Sequence, residues 1–310
     1  MLHNFGSINL DHFYRVPHLV RPGETLASRD YRVGLGGKGA NQSLAMARAG
    51  GRIRHWGRLG RQDSWARDIL EHAGVEVEAI ALVDEASGHA IIQVDDCGEN
   101  AIILFPGANH GTTEQALDEH FAAASPGEWL LAQNECNALP RLLERAIEAG
   151  LNIAFNPAPM SDAVLELPLE QCRLLFVNRG EAAWLAGLDE SSLPEELLDG
   201  LARRLPGCGT VLTLGGDGAW YQFGDERHFQ PALPVTPRDT TAAGDTFIGY
   251  YLAALQQGRA VTDCLTWAAT AAALGVQVAG AAESIPEAAA VERALRDGIP
   301  TLHRSGEETQ

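Results

Sequence analysis

Residues 239–247, with the sequence DTTAAGDTF, combine small residues, a glycine and a carboxylate where a predicted helix begins. Small side chains leave consecutive backbone N–H groups uncovered, and the start of a helix carries positive electrostatic potential. Such amides can hold a phosphoryl group while charge builds on its oxygens. The Asp245 carboxylate could then accept the proton of an attacking hydroxyl. Taken alone, Asp245 is also explained as a first-turn acid that the helix dipole favours.

A glycine cluster at residues 34–39 formally matches the G-x-G-x-x-G pattern of dinucleotide-binding folds. That pattern should follow a first strand, with an acid for the ribose about 20 residues further on. Here the glycines follow an irregular stretch, and the acid is missing near Leu59. A Walker A loop is excluded because Lys38 is followed by Gly39 rather than Ser or Thr. Glycines let backbone amides approach a ligand closely, and Asn41 could either cap the next helix or bind sugar hydroxyls.

The elements that must position these residues alternate between strands and helices along most of the chain. Strands are predicted at 2–8, 52–59, 75–82, 129–132, 152–156, 174–177 and 210–214. Helices are predicted at 41–49, 64–73, 113–123, 139–149, 179–186, 193–205, 243–257, 261–277 and 287–296. Near-continuous apolar strands that alternate with amphipathic helices predict an α/β fold of three layers, α/β/α, with a central, mostly parallel sheet.

One early region departs from this alternation. The apolar runs 89–94 and 100–105 are separated by the turn-forming residues DDCGE, which is typical of a β-hairpin. Residues 11–31 read as irregular, and we expect residues 11–32 to join the hairpin in a small appended sheet. No segment is rich enough in Pro, Gly or Ser to separate domains, so we expect a single domain over residues 1–310.

The composition predicts a globular cytoplasmic protein with no nucleic-acid or membrane partner. A formal net charge of -18 argues against wrapping a nucleic-acid backbone, and it indicates solubility or, alternatively, adaptation to a saline cytoplasm. The N-terminus lacks the basic start and apolar run of a signal peptide, and no apolar stretch is long enough to span a bilayer. The five cysteines form no C-x-x-C pair, which favours reduced thiols over a zinc site.

Two segments far apart in the chain resemble the signatures of the ribokinase (PfkB) family of carbohydrate kinases. Residues 36–43 (GGKGANQS), followed by Gly50 and Gly60, resemble the N-terminal signature. Residues 239–247 resemble the C-terminal signature almost throughout. Tyr250 departs from the pattern, which usually has Ala or Gly there, and a bulky ring could alter helix packing behind the anion-holding amides.

The resemblance implies a ribokinase-like fold whose small sheet forms a lid over the sugar, built from about residues 9–35 and 87–107. It also implies ATP and Mg²⁺ as cofactors, activation by a monovalent cation such as K⁺, and a homodimer formed through the lid. We expect the hairpin at 89–105 to serve both as lid and as dimer interface.

The same resemblance assigns roles to individual residues. It implies Asp245 as the catalytic base, with a phosphoryl-holding loop at Ala242, Ala243 and Gly244. The residues implied to bind the sugar are Asn9, Asp11, Gly37, Lys38, Asn41 and Glu135. Those implied to bind the nucleotide are Asn178, Thr213, Gly215 and Gly218, with Glu181 contacting Mg²⁺ through water. Those implied to surround K⁺ are Asp239, Thr241, Gly275, Val278, Gly280 and Ser284.

Several interpretations stay open from the sequence. A helix cap with an acidic first turn explains Asn178 and Glu181 equally well, and a tight hairpin turn explains residues 213–218. D-ribose is the first acceptor we expect, because GSINLD at residues 6–11 and GGKGAN at residues 36–41 look closest to the ribose-specific members of the family. Fructose, a deoxysugar or a nucleoside are alternatives. A non-catalytic sugar or nucleotide sensor is less favoured, since a sensor needs neither Asp245 nor the N-x-x-E pair.

Overall fold

The computed structural model describes residues 1–298; residues 299–310 of the predicted domain lie outside the described part. The strands are β1 (Leu2–Phe5), β2 (Asn9–Arg15), β3 (Asp30–Gly36), β4 (Ile53–Gly60), β5 (Ile80–Val83), β6 (Gly88–Val94), β7 (Asn100–Phe105), β8 (Trp129–Gln133), β9 (Asn152–Asn156), β10 (Leu174–Asn178), β11 (Gly209–Thr213), β12 (Ala219–Phe223) and β13 (Glu226–Gln230). The helices are α1 (Lys38–Arg48), α2 (Trp65–His72), α3 (Glu114–Ala122), α4 (Leu139–Glu148), α5 (Arg179–Ala186), α6 (Pro194–Arg204), α7 (Ala243–Gln256), α8 (Val261–Gly275) and α9 (Ala288–Asp297).

Nine strands form one central sheet in the order β13-β12-β11-β10-β9-β8-β1-β4-β5. The pairings from β11 through β5 are parallel, whereas β12 and β13 join the edge antiparallel. The mostly parallel sheet predicted from the sequence is therefore confirmed. The antiparallel strands β12 and β13 were not predicted as strands.

Helices cover both faces of the central sheet, which explains why its strands are apolar at consecutive positions. Neighbouring residues on a strand point to opposite faces: Leu131 packs with α1, α7 and α8, while Leu130 packs with α3, α4 and α6. Both leucine side chains are fully buried. The predicted three-layer arrangement is thus confirmed, with one hydrophobic core on each side of the sheet.

Four strands form a second, small sheet in the order β3-β2-β6-β7. The predicted hairpin is confirmed as β6 and β7, which pair antiparallel from His89–Phe105 to Val94–Asn100. The prediction that residues 11–31 are irregular was wrong at both ends, because β2 pairs antiparallel with β3 and parallel with β6. The sequence of β2, NLDHFYR, breaks the strict alternation of polar and apolar residues that would predict a strand, and its pairings with β3 and β6 supply the stabilisation.

The segment predicted to be extended over residues 75–82 is only partly a strand. Strand β5 covers its last residues, at Ile80–Val83, and Glu76 makes an isolated bridge to Arg54.

Tyr250, which departs from the family pattern, is fully buried in α7. Its ring packs edge-on against Trp267, and its hydroxyl donates to the Pro286 carbonyl over 2.7 Å. No helix within residues 1–298 has the length and apolar character needed to cross a membrane.

Candidate active site

The candidate active site lies where the carboxyl ends of the central strands meet the small sheet and the first turns of α1 and α7. Ligands of open α/β sheets bind at this edge. Helix α1 begins directly after β3 of the small sheet, so one helix joins the two sheets. Helices α1 and α7 pack closely because Gly249 has no side chain: an added Cβ would lie 2.5 Å from the Cβ of Ala45. The two helix starts therefore converge.

Asp245 lies in the first turn of α7 and is held by amide side chains of α1. Its Oδ1 accepts a hydrogen bond from Gln42 Nε2 over 2.8 Å, and its Oδ2 accepts one from Asn41 Nδ2 over 3.3 Å. Burial raises the pKa of the Asp245 carboxyl above its ordinary value, although Lys38 and the Gln42 amide oppose this change. A carboxylate with a raised pKa is a better proton acceptor, as general-base catalysis requires.

The backbone before Asp245 exposes amide groups to the cleft. Ala242, immediately before α7, has a left-handed conformation with φ of 60°, which is uncommon for a non-glycine residue. The Ala243 amide already donates to the Thr240 carbonyl over 3.2 Å, whereas no acceptor within residues 1–298 receives the amide protons of Gly244 and Asp245. A Cβ added to Gly244 would meet no atom within 4 Å. The fold itself therefore does not require glycine at this position, and the two amides are suited to an anion.

Lys38 and Glu135 form an ion pair beside the start of α1. The Lys38 Nζ lies 3.5 Å from Glu135 Oε1, and the Lys38 backbone amide donates to Glu135 Oε2 over 2.9 Å. The Ser7 hydroxyl also donates to Glu135 Oε2. Burial lowers the pKa of Lys38, but Glu135 and Asp245 outweigh it and keep the pKa above its ordinary value. Glu135 thus caps α1 and fixes Lys38 near the carboxylate of Asp245.

Asp11 and Asn9 lie on β2 and are almost fully buried, at 8% and 5% exposure. The Asp11 carboxylate occupies the space beside Gly36, where an added Cβ would lie 2.1 Å from Asp11 Oδ2. Burial, together with the nearby charges of Glu135 and Glu283, raises the pKa of Asp11 to about 7. Asn9 Oδ1 accepts a hydrogen bond from Asn109 Nδ2 over 2.8 Å. The small sheet therefore supplies an acid and an amide to the same cluster as Lys38.

The predicted N-x-x-E pair, Asn178 and Glu181, forms a capping box at the start of α5. The helix cap that the sequence left open as an alternative is therefore present. The Asn178 side chain accepts from the Glu181 amide over 2.9 Å, and Glu181 Oε2 accepts from the Asn178 amide over 2.9 Å. Burial and the nearby charge of Asp245 raise the pKa of Glu181. The hydrogen bonds from Asn178 and the charge of Lys38 oppose this change, and the pKa stays above its ordinary value. Glu181 therefore lies within electrostatic reach of Asp245, and a cap role does not exclude a role towards a cation.

Of the predicted nucleotide-binding residues, Thr213 ends β11, and Gly215 and Gly218 lie in the turn that follows. Thr213 Oγ1 donates to the Val177 carbonyl over 3.3 Å, and both glycines have positive φ, which a tight turn requires. Three strand spacings separate β11 from β8, which precedes Glu135, a distance of roughly 14 Å. These residues therefore lie apart from the acid cluster, along the same edge of the sheet.

Asp239 organises the predicted cation loop. Its Oδ1 accepts from the Thr241 amide over 2.9 Å and from the Thr241 hydroxyl over 2.6 Å, and its Oδ2 accepts from the Gly280 amide over 2.9 Å. Burial raises the pKa of Asp239, but these bonds outweigh it and lower the pKa below its ordinary value. The remaining predicted loop residues lie at the end of α8 and between α8 and α9. Gly275 ends α8 and its carbonyl accepts from the Val278 amide, and the Ser284 hydroxyl donates to the Ala281 carbonyl.

The sequence analysis missed several residues that complete the site. Gln42 contacts Asp245 directly, Asn109 holds Asn9, and Ser7 holds Glu135. Gln42 stands next to Asn41 in the glycine-rich motif, which is the signal that could have found it. Asn109 offered no such signal, because it lies 100 residues from its partner in the chain.

A separate groove of about 520 Å³ lies elsewhere, between β4, β5 and α3. Its lining includes Arg54, Trp56 and His120 and none of the predicted site residues. The groove therefore does not compete with the cleft as the candidate active site.

The comparisons with known proteins agree with this geometry. The family described as pfkB family carbohydrate kinase matches residues 1–288. The chain belongs to this family. The resemblance seen in the two signature segments is therefore confirmed, and the protein is a carbohydrate kinase.

Individual relatives extend over nearly the whole kinase. The ribokinase of Haemophilus influenzae is 32% identical over 290 residues, which cover 91% of this chain and 94% of that protein. The bifunctional ribokinase/ribose-5-phosphate isomerase A of Fructilactobacillus sanfranciscensis is 33% identical over 297 residues, and the kinase spans only 54% of its length. The crystal structure of the ribokinase of Cryptococcus neoformans in complex with ADP has a TM-score of 0.80 and 35% identity, and covers 94% of this chain and 98% of that chain. The predicted ribokinase-like fold is confirmed.

We expect Asp11→Asn to raise the melting temperature of the kinase more at pH 8 than at pH 5.5. The pKa of Asp11 is about 7 in the folded protein and near 3.8 in the unfolded chain, so the folded state binds more protons between these values. Its contribution to stability is complete below pH 3.8 and is lost as the pH rises to 7. Asparagine does not titrate, so the variant avoids this loss of stability. The difference in the free energy of unfolding is on the order of 1–2 kcal/mol between pH 5.5 and pH 8, which corresponds to a few degrees of melting temperature.

Thermal unfolding at both pH values, with the exposed-acid variant Asp225→Asn as control, measures this effect. An equal change in melting temperature at pH 5.5 and pH 8 would contradict the raised pKa of Asp11.

Proposed function

We propose that the kinase transfers the γ-phosphoryl group of ATP to D-ribose, giving D-ribose 5-phosphate and ADP. The observation that carries the proposal is the pairing of the Asp245 carboxylate with the open amides of Gly244 and Asp245 at the start of α7. A proton acceptor and an anion-binding backbone within one helical turn are what phosphoryl transfer to a hydroxyl needs. The relatives of similar length are named ribokinases, which favours ribose over the other family substrates.

In this mechanism Asp245 takes the proton of the attacking sugar hydroxyl. The amides of Gly244 and Asp245, reinforced by the positive end of α7, stabilise the charge on the transferring phosphoryl group. Lys38, which Glu135 holds beside Asp245, adds a positive charge at the same place. Because phosphoryl transfer depends chiefly on positioning and charge neutralisation, these groups account for most of what the protein must supply.

The sugar is proposed to bind between α1 and the small sheet. Asn41 Oδ1 is buried and has no hydrogen-bond partner within the described part of the chain. A buried acceptor of this kind costs free energy unless a ligand donates to it. Asp11 and Asn9 offer further acceptors and a donor from β2, and Gly37 and Lys38 supply the backbone at the start of α1. A sugar, which carries several hydroxyl donors in a ring, fits this set of acceptors.

Mg²⁺ and K⁺ are proposed as the metal cofactors. Within residues 1–298 no group of three or more His, Cys, Asp or Glu side chains could hold a metal ion. This suits Mg²⁺, which keeps several of its waters, with Glu181 as the acid facing it. The anionic Asp239, which ties Thr241 to Gly280, fits a monovalent cation at the adjacent loop. Bound Mg²⁺ would neutralise the nucleotide phosphates, and K⁺ would add positive potential near the α7 amides.

The small sheet is proposed to act as a lid and as a homodimer interface. Four consecutive residues of the edge strand β7, Ile102 to Phe105, are between 47% and 63% exposed. An exposed apolar edge strand on a monomer invites pairing with another chain. One face of the strand would cover the sugar and exclude water, and the other would contact the partner subunit. A strictly monomeric mass in solution would remove the dimer part of this proposal.

The decisive experiment is ADP release from the purified kinase with Mg-ATP, with and without K⁺. The acceptor panel contains ribose, deoxyribose, fructose, other hexoses and nucleosides. We expect a clear preference for ribose and a rate that K⁺ increases. Turnover of another sugar would retain the mechanism and replace the substrate. Measurable ATP binding without turnover of any acceptor would instead favour a sugar or nucleotide sensor.

A further inference from the structure

A chain of buried polar side chains runs from the base into the core. Its members are almost fully buried, at 0–1% exposure, and they are Asn4, Gln42, Ser43, His55 and Gln133. Buried polar groups are usually hydrogen-bonded, and the hydrogen bonds of a network fix the orientation of the groups that make them. Every member makes at least one such bond, although Gln133 Oε1 has no partner within residues 1–298. The network reaches Asp245 through a single residue, Gln42.

The inner end of the network has only one arrangement of protons. Burial lowers the pKa of His55 to about 4, so the ring is neutral at pH 7. His55 Nε2 lies 3.1 Å from the Gly6 carbonyl, so Nε2 carries the proton and Nδ1 is an acceptor. The Ser43 hydroxyl therefore donates to His55 Nδ1 over 2.8 Å and accepts from Asn4 Nδ2 over 2.8 Å.

The same logic fixes the glutamines at the outer end. With its nitrogen donating, Asn4 presents Oδ1 to Gln133 Nε2 at 2.9 Å. Gln133 Nε2 donates a second hydrogen bond to Gln42 Oε1 over 2.7 Å. With its oxygen engaged in this way, Gln42 must turn its NH₂ group towards Asp245 Oδ1, at 2.8 Å, and towards Asn156 Oδ1, at 3.4 Å.

We propose that Gln42 is a positioning residue that selects which oxygen of Asp245 acts as the base. The short bond from Gln42 occupies Oδ1, while the bond from Asn41 to Oδ2 is longer, at 3.3 Å. Oδ2 is therefore the oxygen that receives the hydroxyl proton, and the network keeps the carboxylate from rotating. This inference deepens the proposed kinase function and rests on it.

The network also explains how a buried carboxylate stays charged. A hydrogen bond donated to a carboxylate favours its ionised form, so Gln42 lowers the pKa of Asp245 against the effect of burial. Removing the donor should raise the pKa and release the side chain from one orientation. Both changes act on the chemical step. Since Gln42 is fully buried, sugar binding should change little.

The first test is Gln42→Met, which keeps the length of the side chain and removes the amide donor. We expect kcat for ribose at pH 7 to fall about tenfold or more, since hydrogen bonds to charged groups are among the stronger ones. We expect the KM for ribose to stay within about twofold. The acidic limb of the kcat–pH profile should move to higher pH. The matched control is Gln222→Met, because Gln222 is also buried, at 5% exposure, but lies in β12, where it accepts from Arg227.

The second test is Gln42→Glu, which has nearly the same shape as glutamine. The introduced carboxyl can donate to Asp245 only while it is protonated, and once ionised it repels the base. The loss in kcat should therefore grow as the pH rises from 6 to 8, a trend that a purely structural role does not produce.

The outcomes separate the inference from the proposed function. Wild-type kcat and an unshifted pH profile in both folded variants would overturn the role of Gln42 and leave the kinase function intact. Recovery of both variants only as aggregates would assign the network to folding and also overturn the role. A wild-type enzyme that turns over no sugar would overturn the proposed function itself, whatever the variants do.

Discussion

Asp245→Asn should lower the turnover number of the kinase by about 10²-fold or more, in line with the loss of a general base. Asparagine has nearly the same shape, and its amide oxygen can still accept the hydrogen bond from Gln42, but it cannot take the proton of the sugar hydroxyl. The KM for ribose should change much less than kcat, because Asn9, Asp11 and Asn41 remain in place. Steady-state ADP release at saturating Mg-ATP, across a range of ribose concentrations, separates the two parameters.

A matched control for this variant exists in the next helix. Asp263 also lies in the first turn of its helix, α8, but is exposed to solvent away from the cleft. Asp263→Asn removes a charge at an equivalent helical position and should leave kcat unchanged. Near-normal turnover of the Asp245→Asn variant would contradict the assignment of Asp245 as the base. Asp245 would then be explained as a first-turn acid that the helix dipole favours.

Gly244→Ala should lower kcat by up to about 10²-fold while the melting temperature hardly changes. An added Cβ meets no atom within 4 Å, and Gly244 does not need positive φ, so the fold tolerates alanine there. In the proposed mechanism the transferring phosphoryl group binds beside the Gly244 amide, and the new methyl group would enter the open space there. A displacement of about 1 Å at a reacting centre can cost about 10²-fold in rate. Thermal unfolding and steady-state kinetics of the same sample test both halves of this prediction.

Gly39→Ala is the contrasting control, because there the protein itself needs glycine. A Cβ at Gly39 would lie 2.5 Å from backbone atoms of Gly6 and Ser7, so the start of α1 would have to move away from the end of β1. This variant should lose melting temperature by several degrees, as overpacked sites do. If Gly244→Ala lost stability to the same degree, its lower kcat could not be attributed to the anion site.

The fold was predictable from the sequence to the extent that local patterns specify it. The predicted bounds of strand β9 and helix α5 agree with those in the structure, because apolar runs and helix starts are encoded by neighbouring residues. Strand β2 was missed, because residues 9–15 (NLDHFYR) do not alternate strictly between polar and apolar types, and the strand pairs with β6, about 80 residues later in the chain. Strand β13 is an edge strand with mixed polarity and carries no strong local signal.

The candidate site was predictable where its residues form motifs. Asp245 stands in a short segment whose small residues and carboxylate suggest a phosphoryl-transfer site. Asn41 and Lys38 stand in the glycine-rich segment, and their roles follow from its resemblance to the family signature, which the family match confirms. The sequence by itself therefore determined the family, the layered α/β architecture and the residue proposed as the base.

Only the tertiary structure decided which side chains hold those residues in place. Glu135 is 97 residues from Lys38, and Gln133 is 91 residues from Gln42, yet both pairs are in hydrogen-bond contact. The physical reason is that parallel strands bring their carboxyl ends to one edge of the sheet whatever their separation in the chain. Hydrogen-bond direction, burial and the resulting pKa of Asp245 depend on those contacts, so no local pattern could specify them.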